Sequence, residues 1–362
     1  MTYRGGVQTA RADGAPADYT AWLLGEQGRA CRVLGSPLYA DLLSRAAADL
    51  RAGGPTLDVL DGYLSEPLSS VLALRLLGAA HALALTGQAP ALAAYYPSAG
   101  GSARPGPAGA DAWAALRQTL TEHRSSIRAW LRRPPQTNEV GRAAALLGGL
   151  RYLAAEAGLP VRLVEVGASA GLNLRADHFR VAGDCGQCGP ASSPVVLAGG
   201  WQGASPPEGR IEIVHRTGGD LDPIDPATPE GGLILTAFVW PDQRARLERL
   251  RGALAVARAV PADLRRESAT ATLARTELAD GTWTVLWHSI LRQYLDQAQR
   301  AELAEGVAAL GAAATPSARF AYLYLEQSRA GGCPVTLTTW PGGRKRVLGT
   351  APPHGLPVTW SP

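Results

Sequence analysis

The sequence predicts an α/β protein: a mostly parallel sheet with a C-terminal antiparallel hairpin, preceded by a helical N-terminal region. Three observations carry that class. Apolar residues recur at helical spacing over most of the chain before Val161. From Val161 to Leu325, short β-branched or aromatic runs alternate with helical stretches, as in a parallel sheet. Gly342-Gly343 then folds one late strand back on another. The expected organisation is a loose tail over residues 1–16, a helical region over 17–158, and a Rossmann-like α/β domain over 159–362 with an insertion around 180–215.

The bulk properties narrow the function. The 362 residues carry a net charge of +4, and Lys345 is the only lysine. There is no phosphate loop ending in Gly-Lys-Ser/Thr, and a Schiff-base lysine would have to sit in the basic turn Arg344-Lys345-Arg346. The basic spots are too few for a nucleic-acid surface. No secretory signal core is visible, and no stretch reads as long and apolar enough to cross a bilayer. Cys31, Cys185, Cys188 and Cys333 do not form a disulfide framework. The expectation is a cytoplasmic protein with reduced thiols, a small-molecule ligand, and neither nucleic-acid nor membrane partner.

The helical region opens at Asp18. Ser36-Pro37 reads as an N-cap followed by a first-turn proline. Glu66-Pro67 begins a strongly apolar helix to about Leu85, on which His81 reads as a satisfied buried histidine. Gly100 to Gly109 is a loop, and a helix from Asp111 to Arg132 follows. Thr137-Asn138-Glu139 caps the last helix, to about Ala157.

Past the central strand, Gly183 to Pro194 is a loop with Cys185 and Cys188, half of a zinc site with no visible second half, so no metal is assigned. Val195–Leu197 and Ile211–Val214 read as short strands, paired as a hairpin. Leu233 to Trp240 is β-like by composition and compatible with a helix. Helices are expected over Arg244–Leu254, Leu264–Leu278 and Ile290–Leu310. Strands are expected over Val256–Val260, Thr282–His288, Phe320–Leu325 and Val335–Trp340.

The chemistry centres on Val161 to Leu174. A buried-strand run ends in Gly167-Ala168-Ser169-Ala170-Gly171, and a helix-compatible segment follows from Leu172. Small residues let a ligand approach the backbone, and a helix N-terminus offers free N–H groups. Glu165-x-Gly167-x-Ser169-x-Gly171 resembles the first motif of Rossmann-fold, S-adenosylmethionine-dependent methyltransferases, with Ser169 in place of the middle glycine. It does not fit the dinucleotide spacing G-x-G-x-x-G. Gly167-x-Ser169-x-Gly171 also matches the nucleophile elbow of α/β-hydrolases. A tight turn without a ligand fits as well.

Ser36–Ala40, Tyr95–Ser98, Gln136–Arg142, Glu165–Leu174, Val239–Gln243 and His288-Ser289 together resemble the family called domain of unknown function 2332, over nearly the whole chain. That likeness implies no particular chemistry. The methyltransferase likeness rests on Glu165, Gly167, Gly171, Asp220 and strand order. It implies that S-adenosylmethionine is held by Glu165, Gly167, Ala168, Ser169 and Gly171, with Asp220 on the ribose and Asp263 near the adenine amine. His288, ending a strand beside the first, is the candidate general base. Gln136, Asn138, Glu139 and Arg142 either cover the cofactor or act as caps. The hydrolase alternative makes Ser169 the nucleophile, with Asp263 and either His288 or His354, but no oxyanion segment precedes it. A third reading is a catalytically silent binding protein.

Overall fold

The computed structural model describes residues 15–102, 108–328 and 331–362. Most of the expected N-terminal tail and the centre of the Gly100–Gly109 loop lie outside them. The chain forms two compact units. One runs to Thr137 and also takes in Leu233–Leu247; the other comprises Asn138–Gly232 and Glu248–Pro362.

The first unit is helical: α1 (Pro16–Val33), α2 (Pro37–Arg51), α3 (Pro55–Leu60), α4 (Leu72–Leu85), α5 (Pro90–Ala93), α6 (Ala108–Glu122) and α7 (Arg124–Trp130). Leu24, Leu43, Leu76, Leu116 and Ile127 meet in its core, with Trp240 from the later segment. The Asp242 carboxylate accepts bonds from Ser36 Oγ at 2.6 Å and Leu38 N at 3.1 Å, so it holds the start of α2. His81 is fully buried and bonded at both ring nitrogens, to Ala237 O at 3.0 Å and Ser98 Oγ at 2.6 Å. Burial brings its pKa down to about 4. One sequence expectation is corrected here. Leu68–Leu85 is long and apolar enough to cross a membrane, with a mean hydropathy of 1.7, and 61% of that window is buried within the protein.

The second unit is a mixed α/β structure around one large sheet. Its strands are β1 (Val161–Val166), β5 (Trp201–Gly203), β6 (Ile213–Asp220), β7 (Asp263–Arg266), β8 (Thr282–Ser289), β9 (Ala318–Leu325), β10 (Cys333–Trp340), β11 (Arg344–Ala351) and β12 (Val358–Trp360). Their order is β5-β12-β11-β10-β9-β8-β1-β6-β7. The run β9-β8-β1-β6-β7 is parallel, and β10 and β11 continue it antiparallel, as the C-terminal hairpin predicts. A separate sheet of β2 (Arg180–Gly183), β3 (Gly186–Cys188) and β4 (Val196–Ala198) follows the central turn. Val195–Leu197 and Ile211–Val214 therefore do not pair as a hairpin. They enter different sheets.

Helix α8 (Ala143–Glu156) leads into β1, α9 (Pro229–Ala237) and α10 (Arg244–Ala259) connect β6 to β7, α11 (Ala269–Ala274) precedes β8, and α12 (Gln297–Ala313) precedes β9. Leu303 and Val307 of α12 pack on Val164, Leu286 and Phe320. On the other face the Trp283 indole donates to Ala157 O at 3.1 Å, just beyond α8. Two expected elements change type: Val256–Val260 falls at the end of α10 instead of forming a strand, and a strand starts at Asp263 where a helix is expected from Leu264. Leu233–Trp240, compatible with either state, begins as the end of α9. Composition misleads at Val256–Val260, because short apolar runs suit either state.

Candidate functional site

The site grows from the end of β1. The Gly167–Gly171 turn takes positive φ at Gly167 (68°), Ser169 (53°) and Gly171 (61°). Glycine carries the first and last without strain; Ser169 holds the left-handed region despite its side chain. A Cβ on Gly167 would lie 2.7 Å from Leu291 Cδ1, and one on Gly171 would lie 2.7 Å from Leu264 Cδ2. The close approach that demands small residues is thus made by the protein's own side chains.

Four of the five backbone N–H groups of the turn are already engaged. Gly167 N and Ala168 N donate to Gly219 O at 2.9 and 3.1 Å, and Gly171 N donates to Ala168 O at 2.7 Å. Ser169 N donates to Asp220 Oδ2 at 2.8 Å, and Leu172 N donates to Asn138 Oδ1 at 2.7 Å. No α-helix starts at Leu172. Residues Leu172–His178 form a 3-10 segment kinked at Arg175. The expectation of free N–H groups at a helix N-terminus is corrected on both counts. A cradle for phosphate oxygens needs those groups, so it is not built at this turn.

Asp220 ends β6 as expected, level with the turn, and its other oxygen accepts from Asp222 N at 2.9 Å. Asn138 caps the 3-10 segment, Glu139 accepts from Gly141 N, and Arg142 donates to Pro353 O at 3.0 Å and Ser289 O at 3.3 Å. Asn138 and Glu139 thus act as local caps, while Arg142 ties the segment to the Ser289 and Pro353 carbonyls.

Glu165 lies one pleat below the turn and is 2% exposed. It faces Trp287 across the β1–β8 pair, and its Oε2 and the Trp287 Nε1 are both buried without a hydrogen-bond partner. Burial pushes its carboxyl up to about 8; the Trp287 indole and the Arg175 guanidinium pull it down only in part. Burial thus favours the protonated, uncharged form of Glu165 in the folded protein.

His288 follows Trp287 on β8 and so points to the opposite face of the sheet from Glu165. It is fully buried in a chain of polar groups: Nδ1 to Glu326 Oε1 at 2.8 Å, Nε2 to Tyr322 Oη at 2.7 Å. Arg292 donates to the same hydroxyl at 3.3 Å and lies over the Tyr324 ring, 4.4 Å from its centroid. Burial lowers the His288 pKa against the pull of Glu326. Burial alone would raise the Glu326 carboxyl, but the His288 bond and the Leu291 and Arg292 N–H groups hold it below its usual value. The proton arrangement follows. An ionised Glu326 only accepts, so Nδ1–H donates to it, and the neutral ring accepts the Tyr322 proton at Nε2.

Asp263 is not brought to this edge. It opens β7 and pairs with Thr217, so it lies level with the middle of β1, exposed and bonded to Arg265 at 2.9 Å. The expectation rested on a strand ending before Asp263; the strand begins there. An Asp263–His288 pair is not formed, since Nδ1 of His288 meets Glu326. Sequence reasoning missed Glu326, Tyr322 and Arg292. Their signal is a lone acid directly after the apolar strand Phe320–Leu325, with two tyrosines alternating on one face of it.

Among known proteins, a family described as an uncharacterized protein conserved in bacteria (DUF2332) matches residues 22–360. The chain belongs to that family. No curated protein and no solved structure matches. Five of the six DUF2332 segments noted above fall into two structural groups, and the sixth, Gln136–Arg142, crosses the Thr137/Asn138 boundary in sequence. Ser36–Ala40, Tyr95–Ser98 and Val239–Gln243 converge in the helical unit, where Ser98 N also donates to Pro241 O at 3.1 Å. Glu165–Leu174 and His288-Ser289 form the carboxyl edge of the sheet in the other. Cys185 and Cys188 of this DUF2332 chain are free thiols in the β2–β3 hairpin region, and among the described residues no three His, Cys, Asp or Glu side chains gather as a metal site.

Proposed function

We propose that the carboxyl edge of β1 and β8 binds S-adenosylmethionine and that the protein is a methyltransferase for a small acceptor. The observation that carries this reading is the reversal of strand order at β1. The chain leaves β1 for β6 and β7 on one side and returns at β8 on the other. Open parallel sheets take ligands in the crevice at such a switch point. The engaged N–H groups favour a ligand without phosphates, which distinguishes S-adenosylmethionine from NAD and ATP. Asp220 accepts one bond at each oxygen and keeps lone pairs for two ribose hydroxyls. The neutral Glu165 beside the turn would ionise against the cationic methionine end. His288 would act as a base through the Tyr322 hydroxyl at the end of its chain.

Calorimetry on the full chain tests this. Saturable heat is expected with S-adenosylmethionine and S-adenosylhomocysteine, and none with NAD or ATP. Asp220→Asn should weaken binding about ten-fold, the worth of one charge-assisted bond, and Gly167→Val should abolish it while the protein still melts cooperatively. No heat at millimolar S-adenosylmethionine refutes the assignment.

The left-handed φ of Ser169 favours a second reading, since a nucleophile elbow also strains its serine. Ser169→Ala separates the two. As a turn residue the hydroxyl contributes no more than about 0.5–1.5 kcal/mol to ligand binding, and a fluorophosphonate should not label the wild type. Stoichiometric labelling at Ser169, lost in the alanine variant, would establish the esterase reading instead.

A further inference from the structure

A second site lies away from the carboxyl edge, on the face of the sheet. Strand alternation sets Arg162 of β1, His215 and Thr217 of β6, Arg265 of β7 and Thr284 of β8 on the same face. With Arg275, just after α11, they line a cavity of about 290 Å3. That volume is at the small end of ligand sites.

The cavity is cationic and its donors are incompletely used. Arg162 makes no hydrogen bond or ion pair among the described residues, although it lines the cavity with Val164. Arg265 is bonded to Asp263 at 2.8 Å and Arg275 to Glu267 at 2.6 Å, and each fork keeps further N–H groups. Glu277 is the one carboxylate in the lining. Thr284 Oγ1, on a residue 1% exposed, is buried in the lining without a partner. The Thr217 hydroxyl is bonded to His215 Nε2 at 2.7 Å. The His215 ring reports the local field: after burial, the Arg162, Arg275 and Arg265 guanidiniums lower its pKa against Asp263 alone.

We propose that this cavity binds the phosphate group of a small phosphorylated metabolite. Three guanidiniums from three separate elements line the cavity together with the Thr217 and Thr284 side chains. That arrangement suits a tetrahedral dianion better than a planar carboxylate, which one fork would satisfy. Arg162 supplies the charge that no protein carboxylate neutralises, and Thr284 supplies a donor that otherwise has no partner.

The test is a titration of the full chain with inorganic phosphate and, in parallel, with glycerol 3-phosphate, at constant ionic strength balanced by chloride. Calorimetry and the His215 imidazole proton resonances are followed together. Saturable binding with a shift of the His215 signals is expected, tighter for the ester if the cavity takes a whole metabolite and equal for both if it takes the free ion. Arg162→Gln should weaken binding at least ten-fold with an unchanged melting temperature, because this side chain holds nothing else. Thr284→Val should weaken it to a smaller degree. Absence of saturation at tens of millimolar, or binding that leaves the His215 signals and the Arg162→Gln affinity unchanged, overturns the proposal.

Discussion

Glu165→Gln is expected to stabilise the protein above pH 8 and to leave its stability unchanged near pH 4.5. The carboxyl titrates at about 4.5 in the unfolded chain and about 8 in the folded one, because burial disfavours its charge. Between those values the folded state retains a proton that the unfolded state has released. Stability therefore falls as pH rises through this window, by up to about 1.4 kcal/mol per pH unit. The stabilisation present below pH 4.5 is lost once the folded group ionises. Glutamine cannot ionise, so the variant should gain on the order of 4–5 kcal/mol over the wild type by pH 8. Urea unfolding of both proteins from pH 5 to 8.5 measures the difference. Parallel stability curves would mean that Glu165 is ionised when folded.

The second large effect is expected at Glu326. Its carboxylate accepts from His288 Nδ1, Leu291 N and Arg292 N, and all three donors stay in place when it is removed. Glu326→Ala leaves them unpaired in a buried setting, at a cost of about 1–3 kcal/mol for each donor left without a partner. Glu326→Gln keeps an acceptor and should recover part of that loss. Tyr322 Oη would still meet His288 Nε2, so the damage should centre on the 288–292 bend, where Ile290 takes a φ of 52°. A lowered urea midpoint with an unchanged slope is the signature. A change below about 1 kcal/mol would show that water replaces the carboxylate at no cost.

The parts of the fold that were legible in the sequence are those with a strong local cause. Ser36-Pro37 starts a helix because Ser36 caps it and proline fits its first turn. Thr282–His288 and Phe320–Leu325 read as strands from their β-branched and aromatic residues, and strands form over Thr282–Ser289 and Ala318–Leu325. Gly167 and Gly171 announced the turn because only glycine takes their φ freely. The failures have long-range causes. Asp242 serves α2 and Asn138 serves the segment after β1, and no local pattern links those partners. Asp263 was misplaced because Val256–Val260 is valine-rich yet belongs to a helix. The His288 network needed the pairing of β8 with β9, which puts His288 beside Tyr324 and brings Tyr322 and Glu326 within reach.

Hydrogen exchange of the full chain with and without saturating S-adenosylhomocysteine tests whether the edge formed by β1, β6 and β8 is a ligand site. Slower exchange is expected, confined to residues 166–173, 219–225 and 288–292, which flank the reversal of strand order. Unchanged exchange in all three segments, or protection that maps elsewhere in the chain, would contradict it.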